Sequence, residues 1–179
     1  LKKIGTEIIV NILGESIDEY VEISKILEKE GVKCIELNLS CPNVEKGGIE
    51  FGRDENLVRK VVEKVRENFN GLIFAKLSPN FTDIIRISKA AEIGGADALT
   101  LINTIIGTSI DVENLCFKLK RGFGGLSGPA IKPISLYIVY RVYQEVNIPI
   151  VGVGGIKDTE SAIEFLLAGA TCIQIGTYN

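Results

Sequence analysis

Apolar runs of strand length recur along the chain, separated by stretches whose apolar residues return every three to four positions. The strand-like runs are 7–13 (EIIVNIL), 33–40 (KCIELNLS), 72–78 (LIFAKLS), 97–103 (DALTLIN), 148–153 (IPIVGV) and 171–176 (TCIQIG). The periodic stretches predict helices at about 17–30, 55–68, 82–93, 133–146 and 158–168. In the first of these, Ile17, Tyr20, Val21, Ile23, Ser24 and Leu27 fall on one side, with Glu and Lys opposite. Asp158, Thr159 and Glu160 supply an N-cap and an early acid for the last helix. Helices end near Gly31, Gly94, Gly95 and Gly169.

Alternation of helices with near-continuous apolar strands predicts a parallel α/β sheet, either an open doubly wound sheet or a closed barrel. Three units repeat one phrase: GVKCIELNLS, GGADALTLINT and AGATCIQIGT. Each closes a helix with glycine, links briefly, and runs a strand out into polar residues or glycine. That monotony favours the (β/α)8 TIM barrel, whose chemistry gathers at the strand C-termini. Six strands are visible and a barrel needs eight, so residues 1–179 read as one partial TIM-barrel domain. Its N-terminal strands and C-terminal helix would be missing, and the lack of any methionine points the same way. The stretch 105–131 is too long for a simple connection and reads as functional.

Composition narrows the function classes. A net charge of −3 without a basic cluster argues against nucleic acid as a partner. No apolar run approaches the roughly 20 residues of a membrane span, and no leader peptide is evident. The four cysteines form no CxxC pair and the chain has no histidine, which weighs against zinc and against an iron–sulfur site. No disulfide framework is suggested, so a reducing, cytoplasmic home is expected.

Candidate chemistry sits at the strand exits. Asn11, Asn38 with Cys41, Lys76, Asn103 with Thr104, the Gly152–Gly155 turn and Gly176 with Thr177 would ring one barrel mouth. The two glycine turns on consecutive last strands suit a ligand phosphate, or are plain tight turns. Lys76 lies inside an apolar strand, where a cation needs a negative partner. It reads as a charge for a cofactor or intermediate, or as a lysine snorkelling at a strand end. The amides of Asn38 and Asn103 suit an imide-edged ligand, or cap turns.

Cys34 and Cys172 lie within apolar strands and read as small core hydrophobes. Cys116 has no evident role. Cys41 differs, because Pro42 ends the strand and puts the thiol at the rim, ahead of a polar loop (NVEKGGIEFGRD) with hinge-like glycines. Without histidine no Cys–His nucleophile can form, so proton transfer is the better role for the thiol, set against a buried, inert one.

In order, IELNLSCPNVEKGG, AKLSPN, LTLINT, GGLSGPAIKP, IPIVGVGGI and GT closely resemble the FMN-dependent dihydroorotate dehydrogenases, across essentially the whole chain. The GGIEFG that follows the cysteine motif looks like the B-type catalytic subunit of the NAD-linked class 1 enzymes. The resemblance implies oxidation of (S)-dihydroorotate to orotate in pyrimidine (UMP) biosynthesis. Cys41 would be the general base at C5, with hydride passing from C6 to FMN. Asn11, Asn38, Lys76, Ile102, Gly128, Gly154, Gly155, Gly176 and Thr177 would bind FMN. Asn38, Asn103 and Thr104 would bind substrate. No metal site is implied in this chain. A homodimer of catalytic subunits and a partner subunit with FAD and an iron–sulfur centre are implied, with NAD as final acceptor. The stretch 114–122 lacks the proline-containing pattern expected of the family.

Three alternatives stand beside this reading. One is a flavin barrel acting on another pyrimidine, although Asn43, where that group would favour histidine, speaks against it. Another is a non-redox barrel enzyme binding a phosphorylated substrate through the same glycine turns. The third is a piece inactive on its own, with two open sheet edges.

Overall fold

A computed structural model describes residues 5–39, 51–80 and 83–179. Cys41, Pro42 and Asn43, with the glycine loop up to residue 50, lie outside the described residues.

All six expected strands form: β1 (Val10–Ile12), β2 (Cys34–Asn38), β3 (Leu72–Leu77), β4 (Ala98–Leu101), β9 (Ile150–Val153) and β10 (Cys172–Gln174). The five helices follow the expected order: α1 (Ile17–Lys29), α2 (Glu55–Arg66), α3 (Ile84–Ile93), α4 (Lys132–Tyr143) and α5 (Thr159–Leu167). Local chemistry sets their starts. Ser16, Asp54 and Asp83 accept backbone N–H bonds at the heads of α1, α2 and α3, and Asp158 with Ser161 forms a reciprocal capping box on α5. α4 has no side-chain cap and begins instead with Pro133 in its first turn. Gly31, Gly95 and Gly169 take left-handed φ just past three helix ends, and each time the next strand begins three residues on.

The strands pair in parallel in the order β1-β2-β3-β4-β9-β10, each beside its predecessor. Successive helices pack side by side, α1 on α2, α2 on α3, α3 on α4 and α4 on α5, so they form one layer outside the sheet. That is the barrel arrangement; a doubly wound sheet reverses direction and puts helices on both faces. Ile35, Leu37, Ile73, Ala75, Leu77, Leu99 and Leu101 from the strands meet Val58, Val61, Val62 and Val65 of α2 and their counterparts on neighbouring helices. The α2 valines repeat at helical spacing, which is why this segment buries one stripe and leaves its charges outside.

The opposite strand faces carry polar side chains, and these reveal the curvature. Gln174 on β10 donates from Nε2 to Glu36 Oε2 on β2 at 2.8 Å. Four strand steps separate β2 from β10, which in a flat sheet is roughly 19 Å at about 4.8 Å per step. Two side chains cannot span that, so the sheet curls and its interior face closes on itself.

The stretch 105–131 is less irregular than expected. β5 (Ile105–Gly107) pairs antiparallel with β8 (Gly124–Leu126), and β6 (Ile110–Asp111) with β7 (Cys116–Phe117). Strands of two or three residues are too short to show alternation in sequence. Cys34 is buried as expected, but Cys172, expected in the core, is exposed on the outermost of the six strands this chain supplies. Among the described residues no helix is long and apolar enough to cross a membrane.

Candidate active site

The C-terminal ends of β3, β4, β9 and β10 open onto one cleft of about 230 Å³. Lys76 comes from β3, and Ile102, Asn103 and Thr104 follow β4. Ser127, Gly128 and Ile131 precede α4; Gly154 and Gly155 follow β9; Gln174, Gly176 and Thr177 come from β10 and its exit.

At one end the wall is main chain. Gly155 has φ +79°, and a Cβ there would lie 2.7 Å from the Gly128 carbonyl oxygen and 3.0 Å from Lys132 Cβ. The Gly154–Gly155 turn therefore sits directly on the Gly128 loop, a contact only glycine permits. Ser135 of α4 donates to the Val153 carbonyl at 2.6 Å and ties the helix start beneath this turn. By contrast, a Cβ on Gly176 would meet nothing within 4 Å, so its bare backbone faces open cleft. Thr177 Oγ1 donates to Ser127 Oγ at 2.8 Å, joining the two loops at the rim.

At the other end the floor is charged. Glu36 is only 3% exposed and accepts from Asn11 Nδ2 (2.7 Å), Lys76 Nζ (3.2 Å), Thr100 Oγ1 (2.7 Å) and Gln174 Nε2 (2.8 Å). Burial pushes its carboxyl upward, but the Lys76 ammonium and the three neutral donors outweigh it and hold it below the usual glutamate value. Lys76 Nζ also reaches Gln174 Oε1 at 3.5 Å. Among the described residues those are its two partners, leaving one of the three ammonium protons for the cleft it lines.

The amides lie between these ends. Asn103 Nδ2 donates to Asn38 Oδ1 at 3.1 Å, and Asn103 Oδ1 accepts from Thr104 N at 2.8 Å. Asn80 fixes the same connection: its Nδ2 donates to the Thr104 carbonyl (2.9 Å) and its Oδ1 accepts from Ile106 N (2.8 Å).

Of the residues expected from sequence, Lys76, Ile102, Asn103, Thr104, Gly128, Gly154, Gly155, Gly176 and Thr177 come together in the cleft. Asn38 reaches it through Asn103, while Asn11 turns its amide to Glu36. Cys41 falls outside the described residues. Sequence reasoning missed Glu36, Thr100, Gln174, Asn80 and Ser127. The signal for Glu36 was present, since an acid in the middle of an apolar strand is as odd as Lys76 and supplies the negative partner that Lys76 requires.

The sequence profile of the family described as Dihydroorotate dehydrogenase matches residues 2–179. The chain belongs to the dihydroorotate dehydrogenase family. Its six units are accordingly part of a (β/α)8 barrel. Relatives named "Dihydroorotate dehydrogenase B (NAD(+)), catalytic subunit" share 47% identity in Lachnoclostridium phytofermentans, 49% in Parabacteroides distasonis and 50% in Caldicellulosiruptor bescii. Each alignment takes in 100% of this chain and 59 or 60% of the relative. The chain thus spans about 60% of the length of these dihydroorotate dehydrogenases.

Proposed function

We propose that the protein carrying this chain oxidises (S)-dihydroorotate to orotate in pyrimidine biosynthesis, using FMN. The observation that carries this reading is the single cleft joining the glycine wall at Gly154, Gly155 and Gly176 to the Lys76 ammonium. Such a cleft suits an elongated anionic ligand with a phosphate at one end and an electron-accepting ring at the other. Its volume of about 230 Å³ is below the ~300–1,000 Å³ of a site enclosing a whole drug-sized ligand, which fits a ligand lying partly outside it. Ile102 and Ile131 offer an apolar wall to a flat ring, while the main chain at Gly176 leaves room for a phosphate.

FMN, when bound, would supply the acceptor for the hydride leaving substrate C6. Everything else falls to this chain. Cys41 takes the C5 proton as a general base, which leaves the C5–C6 double bond of orotate once the hydride has gone. Lys76 offsets the negative charge that the hydride brings to its end of the cleft. Asn38, Asn103 and Thr104, already hydrogen-bonded to one another, orient the substrate amide and imide groups. Asn11 adds a further contact at the flavin end.

The relatives' names support a catalytic subunit that hands electrons to a second subunit, with NAD as final acceptor. In this reading that partner carries FAD and an iron–sulfur centre, the catalytic subunits pair as a homodimer, and the assembly is cytoplasmic. Residues 1–179 act as one partial FMN-binding barrel domain.

The test is the anaerobic visible spectrum of the full-length protein, purified without added flavin, before and after dihydroorotate. Bleaching in the wild type, slowed by orders of magnitude near neutral pH in Cys41→Ser, is the expected result. Flavin that dihydroorotate fails to bleach would move the substrate to another pyrimidine. Absence of flavin would sink the redox reading.

A further inference from the structure

The proposed chemistry uses Lys76 and gives no task to the acid that holds it. Glu36 is buried and is gripped by four donors from four other strands of the sheet: Asn11, Lys76, Thr100 and Gln174. Stability alone is a poor explanation for this arrangement. A buried ion pair is often matched or bettered by apolar side chains of similar volume, because desolvation of both charges offsets their attraction. The layer around it is also oriented. Gln174 donates to Glu36 and accepts from Lys76, so one amide locks both charges in place. Glu36 lies beneath Lys76, while Lys76 itself lines the cleft.

We infer that Glu36 is a positioning residue for Lys76, fixing the ammonium at the cleft floor and tempering its pull on negative charge at that end of the cofactor. The inference rests on the flavin reading given above. It assigns two effects to one carboxylate. Geometrically, the ammonium is held where its remaining proton faces the cleft. Electrostatically, the negative partner keeps the floor from over-stabilising the reduced, more anionic cofactor, so that electrons can be passed on.

The test is the midpoint potential of bound flavin in the full-length protein, for wild type, Glu36→Gln, Lys76→Gln and the double variant. Glutamine keeps the size of Glu36 and removes its charge. With Lys76 unopposed, binding of reduced relative to oxidised flavin should strengthen about tenfold, read as a rise of ~30 mV for a two-electron couple. In the Lys76→Gln background the same change should have little effect, since the two residues act as a unit. If Glu36→Gln retains no flavin, Glu36→Asp replaces it: the charge recedes by one methylene, and a smaller rise is expected. A potential unchanged in flavin-loaded Glu36→Gln or Glu36→Asp overturns the inference. So does an equal rise with and without Lys76, which would mean that Glu36 acts on the cofactor directly. A wild-type protein without flavin fails the functional reading instead, and the two failures are therefore distinct.

Discussion

The Tyr20 hydroxyl donates to the carbonyl oxygen of Asn38 at 2.7 Å, reaching from α1 to the last residue of β2. Tyr20 is fully buried, and its ring lies where any side chain on Gly14 would have to go, 3.0 Å from a Cβ built there. The helix thus anchors the strand end three residues before Cys41. Tyr20→Phe deletes only the hydroxyl and leaves a partly buried carbonyl without that donor. It should cost about 1 kcal/mol, read as a lower urea midpoint with unchanged slope. An unaltered midpoint would mean that the bond contributes nothing net.

Two glycines in the cleft should answer differently to the same added methyl. At Gly155 the methyl collides with the Gly128 loop in a left-handed backbone. Gly155→Ala should therefore lose about 1–3 kcal/mol of stability as well as flavin. At Gly176 the methyl enters open cleft. Gly176→Ala should keep its stability within about 0.5 kcal/mol and weaken FMN binding alone. Thermal unfolding beside a flavin titration separates the cases. Equal stability losses would show that Gly176 is structural.

Glu36 also predicts a pH signature. Its carboxyl sits below its ordinary value in the folded chain, so the unfolded chain binds the proton more readily. The stabilisation is therefore complete above the unfolded value, about 4.3 for a free glutamate, and is lost as pH falls through the folded value. The stability difference between wild type and Glu36→Gln should stay level from pH 7 to about 5 and shrink below about 4. A difference that is flat throughout the acid range would contradict the carboxylate's depressed position.

Thiol reactivity should sort the cysteines. Burial, helped by the nearby Asp97 and Glu36 charges, pushes the Cys34 thiol up to about 11. At pH 8 roughly one part in a thousand is then thiolate, against about a quarter for an ordinary thiol near 8.5. Cys116 and Cys172 are exposed. Brief iodoacetamide treatment followed by peptide mass spectrometry should label Cys116 and spare Cys34 until denaturant is added. Rapid labelling of native Cys34 would show that β2 opens readily.

The parts of this molecule legible in its sequence are those written locally. Strand runs, the helix stripe at Val58, Val61, Val62 and Val65, and the glycines that end helices need only near neighbours to be read. The cleft was legible because strand exits must converge once the sheet is a barrel. What escaped depends on partners far away in the chain. Nothing near Glu36 reveals Thr100 or Gln174. The bond from Asn11 to Glu36 escaped too, because an amide at a strand exit gives no hint of which acid it will meet.

The bond between Gln174 and Glu36 has a temporal side. The two residues are 138 positions apart, so at about 5–20 residues per second a ribosome adds the second roughly 7–28 s after the first. Throughout that interval the carboxylate lacks its last amide donor, and the lysine lacks the group that bridges it to the acid. The charged floor of the cleft thus cannot be completed until the outer helices α1 to α5 have all been made.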